Sequence, residues 1–138
     1  MGITVRAATA ADRDTTVALW EAAGLTRPWN DPRADFDMAL ANTTSDVLLA
    51  MAGDRLAGSV MVGFDGHRGW VYYLATAPDL RGQGMGRQLM GAAEAWLKAR
   101  GCPKVQFMVR ADNHAVRGFY DALGYELQDV VTLGRRVD

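Results

Sequence analysis

The sequence predicts a three-layer α/β domain whose mixed, mostly antiparallel sheet has six or seven strands and is covered by four helices. Two observations support this prediction. Strand-like and helix-like segments follow the order βααββ and then βαβαβ(β) along the chain. A sheet built in this way buries both faces under helices. The 138 residues contain no internal repeat and no low-complexity linker, so we expect one domain, 1–138.

The first part of the chain predicts a strand and two helices. The segment "ITVRAA" has the alternation of a short strand. Thr9, with Asp12 three residues later, forms a capping-box pattern before a helix that Gly24 ends. A second helix begins at Pro32, because Asp31 suits the capping position and proline suits the first helical turn.

The middle of the chain predicts a hairpin, a central strand and a long helix. The strands "DVLLAM" and "LAGSVMVGF" flank Gly53-Asp54, a usual hairpin turn pair. The segment "WVYYLATA" is rich in aromatic and β-branched residues, which is typical of a central strand. Apolar residues then recur at helical spacing through residues 85–100.

The last part predicts a strand, a short helix and one or two closing strands. The segment "KVQFMVR" alternates apolar and polar residues. The helix "DNHAVRGFYDAL" has Asp112 or Asn113 as its cap and ends at Gly124. The closing strands are expected in "YELQDVVTLGRRV".

Composition restricts the class of protein. With 49% hydrophobic and 22% charged residues the chain is an ordinary globular protein. No run approaches the ~20 apolar residues of a membrane helix, and no secretion signal is recognisable, so we expect a cytoplasmic protein without a membrane partner. A net charge of −1 without a lysine cluster argues against nucleic acid. Two separated histidines and the single Cys102 give neither a metal site nor an internal disulfide.

The segment "APDLRGQGMGRQLM", residues 77–90, predicts an anion site. Its notable residues are three glycines and two arginines: Gly82, Gly84, Gly86, Arg81 and Arg87. The first turn of a helix normally favours acids, and none follows Asp79 here. Free backbone N–H groups that lead into a helix bind anions, usually phosphates. A flexible connection without a ligand is the alternative, and the arginines favour phosphate.

Two common phosphate loops do not fit this segment. A Walker loop fails because no Gly-Lys-Ser/Thr follows Gly82. The dinucleotide fingerprint G-x-G-x-x-G fails at its third glycine, where Leu89 or Arg87 stands. Asp112 has the place of a ribose-binding acid, but a chain with three strands and two helices upstream does not begin like a dinucleotide fold.

The pattern Arg81-x-x-Gly84-x-Gly86 resembles motif A of the GNAT acetyltransferase superfamily. Asn113 followed by "GFYDALGY" resembles its motif B, and the element order is similar to that of the family along essentially the whole chain. The blocks "RPWNDP", "GFDGHRG", "GCPK" and "LGRR" resemble the YpeA-type branch of small bacterial GNAT proteins.

The resemblance implies acetyl-CoA as co-substrate. In the family a bulge in the fourth strand separates it from the fifth, and the pantetheine arm enters the opening, which here lies between "YYLAT" and "QFMVR". A free N–H near Leu74 or Ala75 would polarise the thioester carbonyl. The residues implied in cofactor binding are Leu74, Ala75, Thr76, Arg81, Gly82, Gln83, Gly84, Met85, Gly86, Arg87 and Asn113.

The resemblance also implies catalytic residues. A tyrosine at the place of Tyr120 can protonate the departing thiolate, although helix packing also explains it. Asn113 serves equally well as a helix cap. Many family members carry a Glu on the fourth strand as base, and this chain has none there. Asp65 and His67 are the candidates instead, with ordinary turn roles as the alternative for both.

The expected reaction is direct attack by a primary amine, of a small molecule or of a peptide or protein, on the thioester. The amine would enter over the loop between the first two helices. Trp29 and Asn30, with Asp31 and Tyr72 or Tyr73, would form an aromatic and acidic cup, while Asp31 is better explained as a cap. A non-catalytic acyl-CoA-binding sensor is the competing function, and the protein is expected to be a monomer or homodimer.

Overall fold

The computed structural model describes residues 2–138, which form two compact units. The first ends at Met108 and the second comprises Val109–Asp138. The strands of the first unit are β1 (Thr4–Ala7), β2 (Ser45–Ala52), β3 (Arg55–Phe64), β4 (Gly69–Thr76) and β5 (Val105–Gln106). Its helices are α1 (Arg13–Ala22), α2 (Pro32–Ala41) and α3 (Met85–Lys98), with short 3-10 turns at Ala10–Asp12 and Pro78–Leu80. The second unit contains α4 (His114–Ala122).

The sheet is mixed, and its strands lie in the order β1-β2-β3-β4-β5. The first four strands are antiparallel, and the Gly53-Asp54 turn joins β2 to β3 as the sequence predicts. The last pair, β4 and β5, is parallel and very short, because only Gly69 and Trp70 of β4 have partners in β5. Beyond Trp70, this edge of β4 has no partner strand within residues 2–138.

Helices cover both faces of the sheet in the first unit. Successive residues of a strand point to opposite faces. Gly58 faces α3, since a Cβ there would lie 2.9 Å from Cδ1 of Leu89. Ser59 faces α1, since its Oγ accepts a hydrogen bond from Trp20. The ring of Phe36 in α2 lies 6.2 Å from that of Trp20, so α2 shares the face of α1. The predicted three-layer arrangement is therefore present within this unit.

The largest buried side chains lie in these two interfaces, and their burial supplies most of the stabilisation of the first unit. They are Val17, Trp20, Phe36, Val47, Leu49, Val60, Val62, Leu89 and Met90. No helix in the described part of the chain has the length and apolar character needed to cross a membrane.

The helix caps follow the sequence closely. Asp31 caps α2 by accepting the backbone N–H groups of Arg33 and Ala34, and the Asn113 side chain caps α4 by accepting that of Val116. The backbone N–H of Thr9 donates to the Asp12 carboxylate at 2.8 Å, at a 3-10 turn that precedes α1.

The prediction of six or seven strands was wrong: the sheet has five among residues 2–138. Only two residues of "KVQFMVR" are in β5, and "YELQDVVTLGRRV" forms no strand. Alternation favours a strand only where a neighbouring strand pairs with its backbone groups, and this segment has no such ladder. Its apolar side chains stay between 74% and 94% exposed: Leu127, Val130, Val131, Leu133 and Val137.

Thr16 is buried in α1, and its Oγ1 has no hydrogen-bond partner within residues 2–138. Thr16→Val should raise the free energy of unfolding by about 1 kcal/mol, because a methyl group of similar shape replaces an unpaired buried hydroxyl. Urea denaturation measures the change. Thr15→Val is the matched control at an exposed position of the same helix and should change stability by less than about 0.5 kcal/mol. A clear loss of stability in Thr16→Val would contradict this account.

Candidate active site

A β-bulge interrupts β4. Tyr72 pairs with Met61 and Ala75 pairs with Ser59, so two residues of β4, Tyr73 and Leu74, lie opposite one residue of β3. Tyr73 has a φ of 52°, in the left-handed region that non-glycine residues rarely adopt. Such a conformation costs roughly 1–3 kcal/mol and persists only where neighbouring groups hold it. The strand therefore changes direction at Tyr73, and the family resemblance implies a bulge near the end of this strand without naming the residue.

Four contacts hold the bulge on the side of α1 and α2. The Tyr73 ring stacks on that of Trp20 with 3.9 Å between centroids and 10° between planes. The Tyr73 hydroxyl donates to Asp35 at 2.6 Å, and the Ser59 hydroxyl donates to the Tyr73 carbonyl at 3.2 Å. The Trp20 indole N–H donates to Ser59 Oγ at 2.8 Å. Burial, and then the hydrogen bond to Asp35, raise the pKa of Tyr73 far above its usual value, so this phenol stays a donor.

On the edge of β4 that is opposite β3, the pairing with β5 ends before the bulge. Leu74, Ala75 and Thr76 follow Tyr73 on the stretch of strand that β5 leaves unpaired. A peptide-like chain that entered this edge would find backbone donors and acceptors at strand spacing. The same stretch leads, through the turn at Pro78–Leu80, into the glycine segment.

The glycine segment adopts conformations that favour glycine. Gly82 has a φ of 81° and Gly84 a φ of 79°. Gly84 is the N-cap of α3. A Cβ added at either position would meet no atom within 4 Å. Packing therefore does not require glycine at these two positions, whereas the positive φ does. The open space leaves room for a ligand against the backbone.

The backbone N–H groups of residues 82–87 have no acceptor among residues 2–138. The first hydrogen bond of α3 joins the Gln88 N–H to the Gly84 carbonyl at 3.1 Å, and the first turn has no acid. Such a row of unpaired donors, with the positive end of the helix dipole, attracts an anion.

Side chains around the segment add to its positive potential. Arg81 and Arg87 are exposed, and neither forms an ion pair with a carboxylate in the described part of the chain. The acid that precedes the segment, Asp79, accepts two hydrogen bonds from Arg55 at 2.9 and 2.5 Å. These bonds hold the pKa of Asp79 below its usual range and neutralise its charge locally. A diphosphate suits this set of donors.

Asp65 organises the loop between β3 and β4. Its Oδ1 accepts the backbone N–H groups of Arg68 at 2.7 Å and His67 at 2.8 Å, and its Oδ2 accepts the Trp70 indole N–H at 3.0 Å. These hydrogen bonds, that from Arg68 first, lower the pKa of Asp65. A carboxylate with a lowered pKa is a weak base, and its bonds suit a turn-forming role. His67 is exposed on the same loop.

The α1–α2 loop borders a depression of about 360 Å³. It is lined by Val17, Glu21, Thr26, Arg27, Pro28, Asp31, Pro32 and Arg33. Trp29 is 56% exposed on this loop and Tyr72 is 44% exposed on β4, but neither of them nor Asn30 lines the depression. Glu21 is a lining residue that sequence reasoning missed, because an exposed glutamate on a helix gives no distinctive signal.

The second unit contains the motif B residues. Asn113 is the cap of α4, with its Oδ1 accepting the Val116 N–H at 3.2 Å. Tyr120 is half-buried, and its ring makes edge contacts with Phe119 at 5.1 Å and Tyr125 at 5.9 Å. Burial raises the pKa of Tyr120 to about 12, so its hydroxyl keeps its proton at physiological pH.

We expect Asp65→Asn to disturb the loop and to leave the chemistry intact. Because the folded pKa of Asp65 is lowered, its ionised form stabilises the fold above its usual value of 3.8, and this contribution fades as pH falls through the folded pKa. Thermal unfolding from pH 7 to low pH should therefore show a difference between wild type and Asp65→Asn at neutral pH that vanishes in acid. A displaced pH–activity profile in Asp65→Asn would instead assign this residue the role of base.

Known proteins are similar to this chain in sequence and in fold. Residues 11–125 match the family model described as "Acetyltransferase (GNAT) family". A relative from Pectobacterium atrosepticum, named as an acetyltransferase, is 47% identical over 126 residues, which cover 91% of this chain and 89% of the relative.

Two solved structures have the same fold at low identity. The aminoglycoside N-acetyltransferase AAC(6')-Iy, in complex with a CoA-containing bisubstrate analog, matches with a TM-score of 0.85 at 18% identity over 100% of both chains. An aminoglycoside acetyltransferase from an uncultured soil metagenomic sample, in complex with sisomicin, matches with a TM-score of 0.81 at 15% identity over 99% of this chain and 97% of that one. From the family match and the 47% identical relative, this chain belongs to the acetyltransferase (GNAT) family of enzymes.

Proposed function

We propose that the protein transfers the acetyl group of acetyl-CoA to a primary amine by direct attack of the amine on the thioester. The observation that carries this proposal is the row of unpaired backbone N–H groups of residues 82–87, which follows a strand edge that has no partner beyond Trp70. The diphosphate of acetyl-CoA would accept hydrogen bonds from the N–H groups of residues 82–87. The amides of its pantetheine arm would pair with the free edge of β4. Both features would recognise acetyl-CoA through backbone groups. In the segment before α3, glycines would let the diphosphate approach the backbone.

Acetyl-CoA would lie along β4 and end at α3. Its pantetheine amides would pair with backbone groups of Leu74, Ala75 and Thr76, as an added strand does. Its diphosphate would accept the N–H groups from Gln83 to Arg87. Arg81 and the backbone of Gly82 would lie beside the diphosphate. Asn113 is also proposed to contact acetyl-CoA, in addition to its role as the cap of α4.

The chemistry requires a donor for the oxyanion and a proton for the leaving group. Attack by the amine forms a carbon–nitrogen bond and places negative charge on the thioester oxygen, where the N–H of Leu74 or Ala75 would stabilise it. The carbon–sulfur bond then breaks, and Tyr120 would give its proton to the thiolate. The attacking amine loses its own proton to water or to a base that acts through water, because β4 carries no carboxylate.

The acceptor would enter beside the α1–α2 loop. The carboxylates of Glu21 and Asp31 line the depression there, and the Trp29 indole is exposed on the same loop. The guanidinium group of Arg27 donates to the backbone carbonyls of Gly24 and Thr26, and that of Arg33 pairs with Asp14, so neither is paired with Glu21 or Asp31 among the described residues. A small cationic amine suits this set of groups, and the aminoglycoside acetyltransferases with the same fold support that choice.

A non-catalytic acyl-CoA-binding module is the second candidate. One observation favours it: β4 carries no carboxylate, and the Asp65 carboxylate accepts three hydrogen bonds from its own loop and the start of β4, so neither supplies an evident base. A screen for CoA release over several classes of amines separates the two functions. Turnover with any class supports the transferase, and tight CoA binding without turnover over the whole panel supports the module.

Arg81→Ala should weaken CoA binding about tenfold, which is roughly 1.4 kcal/mol, because one charge-assisted contact to the diphosphate is lost. Calorimetric titration with CoA measures the dissociation constant, and the difference between variant and wild type should shrink in high salt. Lys98→Ala, at the opposite end of the same helix, is the matched control and should bind as wild type does. Equal affinity of Arg81→Ala and wild type would remove Arg81 from the site.

Tyr120→Phe should lower kcat by about 10²-fold while CoA affinity stays unchanged, because a positioned general acid contributes about that much. Since the pKa of Tyr120 is about 12, activity that depends on its proton should be lost only as pH rises towards that value. Steady-state kinetics across pH measure both effects, with Tyr125→Phe as the control from the same unit. Wild-type kcat in Tyr120→Phe would leave this tyrosine without a role in proton transfer.

A further inference from the structure

Ser59 is a fully buried polar residue whose hydroxyl makes two hydrogen bonds of fixed direction. Its Oγ accepts the Trp20 indole N–H at 2.8 Å. An indole nitrogen can only donate, so the hydroxyl proton of Ser59 is available for the second bond. That bond goes to the carbonyl of Tyr73 at 3.2 Å. The two hydrogen bonds of Ser59 therefore link the Trp20 indole to the Tyr73 carbonyl.

Fixing this carbonyl also fixes the next N–H. The peptide bond between Tyr73 and Leu74 is planar and trans, since no cis bond occurs in the described chain. In a trans peptide the C=O and N–H point in opposite directions. Because the Tyr73 carbonyl accepts from the Ser59 hydroxyl on the α1 face of β3, the Leu74 N–H is directed away from that hydroxyl. An N–H so directed can reach the edge of β4, which among residues 2–138 has no partner strand beyond Trp70.

The side chain of Tyr73 is a second restraint on this part of β4. Its ring lies against Trp20 at 3.9 Å between centroids, and its hydroxyl donates to Asp35 of α2 at 2.6 Å. The backbone at Tyr73 has a strained φ of 52°, which would relax if these contacts were removed. Ring, hydroxyl and carbonyl are thus held by groups from α1, α2 and β3.

We propose that Ser59, oriented by Trp20, is a positioning residue that aims the N–H of Leu74 at the carbonyl oxygen of the acetyl thioester. The proposal rests on the proposed transferase function and deepens it, since it selects the N–H of Leu74, and not that of Ala75, as the oxyanion donor. Ser59 itself touches no ligand and acts through the peptide that follows Tyr73.

The stretching frequency of the thioester carbonyl tests this directly, without an acceptor. Acetyl-CoA labelled with ¹³C at the carbonyl is bound to each variant, and the band is located by isotope-edited infrared difference spectroscopy. In the wild type a hydrogen bond from Leu74 should lower the frequency relative to free acetyl-CoA. In Ser59→Ala the band should return towards the free value, while acetyl-CoA affinity stays within about threefold because the diphosphate contacts are unchanged.

Turnover provides a second readout. With an acceptor that supports catalysis, Ser59→Ala should lower kcat by up to about 10²-fold, as loss of an oxyanion donor does, with little change in the KM for acetyl-CoA. A merely structural role would instead lower the melting temperature and leave both the carbonyl band and the kcat of the folded fraction unchanged.

Two further variants complete the test. Trp20→Phe keeps an aromatic ring against Tyr73 and removes the indole donor, so the carbonyl band should move part of the way back to the frequency of free acetyl-CoA. If Ser59→Ala does not fold, this variant tests the positioning role of Ser59. Thr16→Val, one turn earlier on α1, removes a buried hydroxyl that has no partner and should keep the wild-type band and kcat.

Each outcome separates this proposal from the proposed function. If the wild type does not bind acetyl-CoA, the transferase function itself fails. If the wild type binds it but shows the frequency of the free thioester, Leu74 is not the donor. If the wild-type band is lowered and remains equally low in Ser59→Ala and Trp20→Phe, the positioning role of Ser59 is overturned while the transferase function stands.

Discussion

Unpaired backbone N–H groups at the start of α3 are the constraint on which the site depends. Residues 82–87 present these groups without an acceptor among residues 2–138, and the positive end of the α3 dipole lies beside them. Gly82 and Gly84 adopt the positive φ that this arrangement requires. Asp79, the acid just before the segment, forms an ion pair with Arg55. An anion that bound here would satisfy these N–H groups, and the proposed binding of the diphosphate depends on this property.

The sheet supplies the second half of the site through an irregularity. A strand that is paired along the whole length of both edges leaves no edge for a ligand. Here the parallel pairing stops after Trp70, and the bulge at Tyr73 turns the strand. The contacts of Trp20, Asp35 and Ser59 with Tyr73 offset the strain of its backbone. The helices of this face therefore support the opening as well as the core.

Local signals predicted the local structure well. Capping residues such as Asp31 and the glycine-rich start of α3 act over a few residues, so their pattern is visible in the sequence. The family resemblance implied a bulge in β4, but no residue pattern shows that Trp20 and Ser59, 39 positions apart, meet beneath it. The sequence predicted closing strands in "YELQDVVTLGRRV", but a strand also requires a pairing partner, which the local sequence does not contain. The proposed roles of Tyr120 and of the acceptor loop remain predictions for the same reason: they depend on contacts that a linear pattern does not contain.

The most direct measurement of the central claim is an amide NMR titration of the ¹⁵N-labelled protein with CoA and, separately, with pantetheine, which lacks the diphosphate. CoA should shift the amide resonances of residues 82–87 strongly, and pantetheine should shift those of Leu74 to Thr76 while leaving residues 82–87 unchanged. If CoA binds and the resonances of residues 82–87 stay where they are, the diphosphate is held elsewhere and this account of the site is wrong.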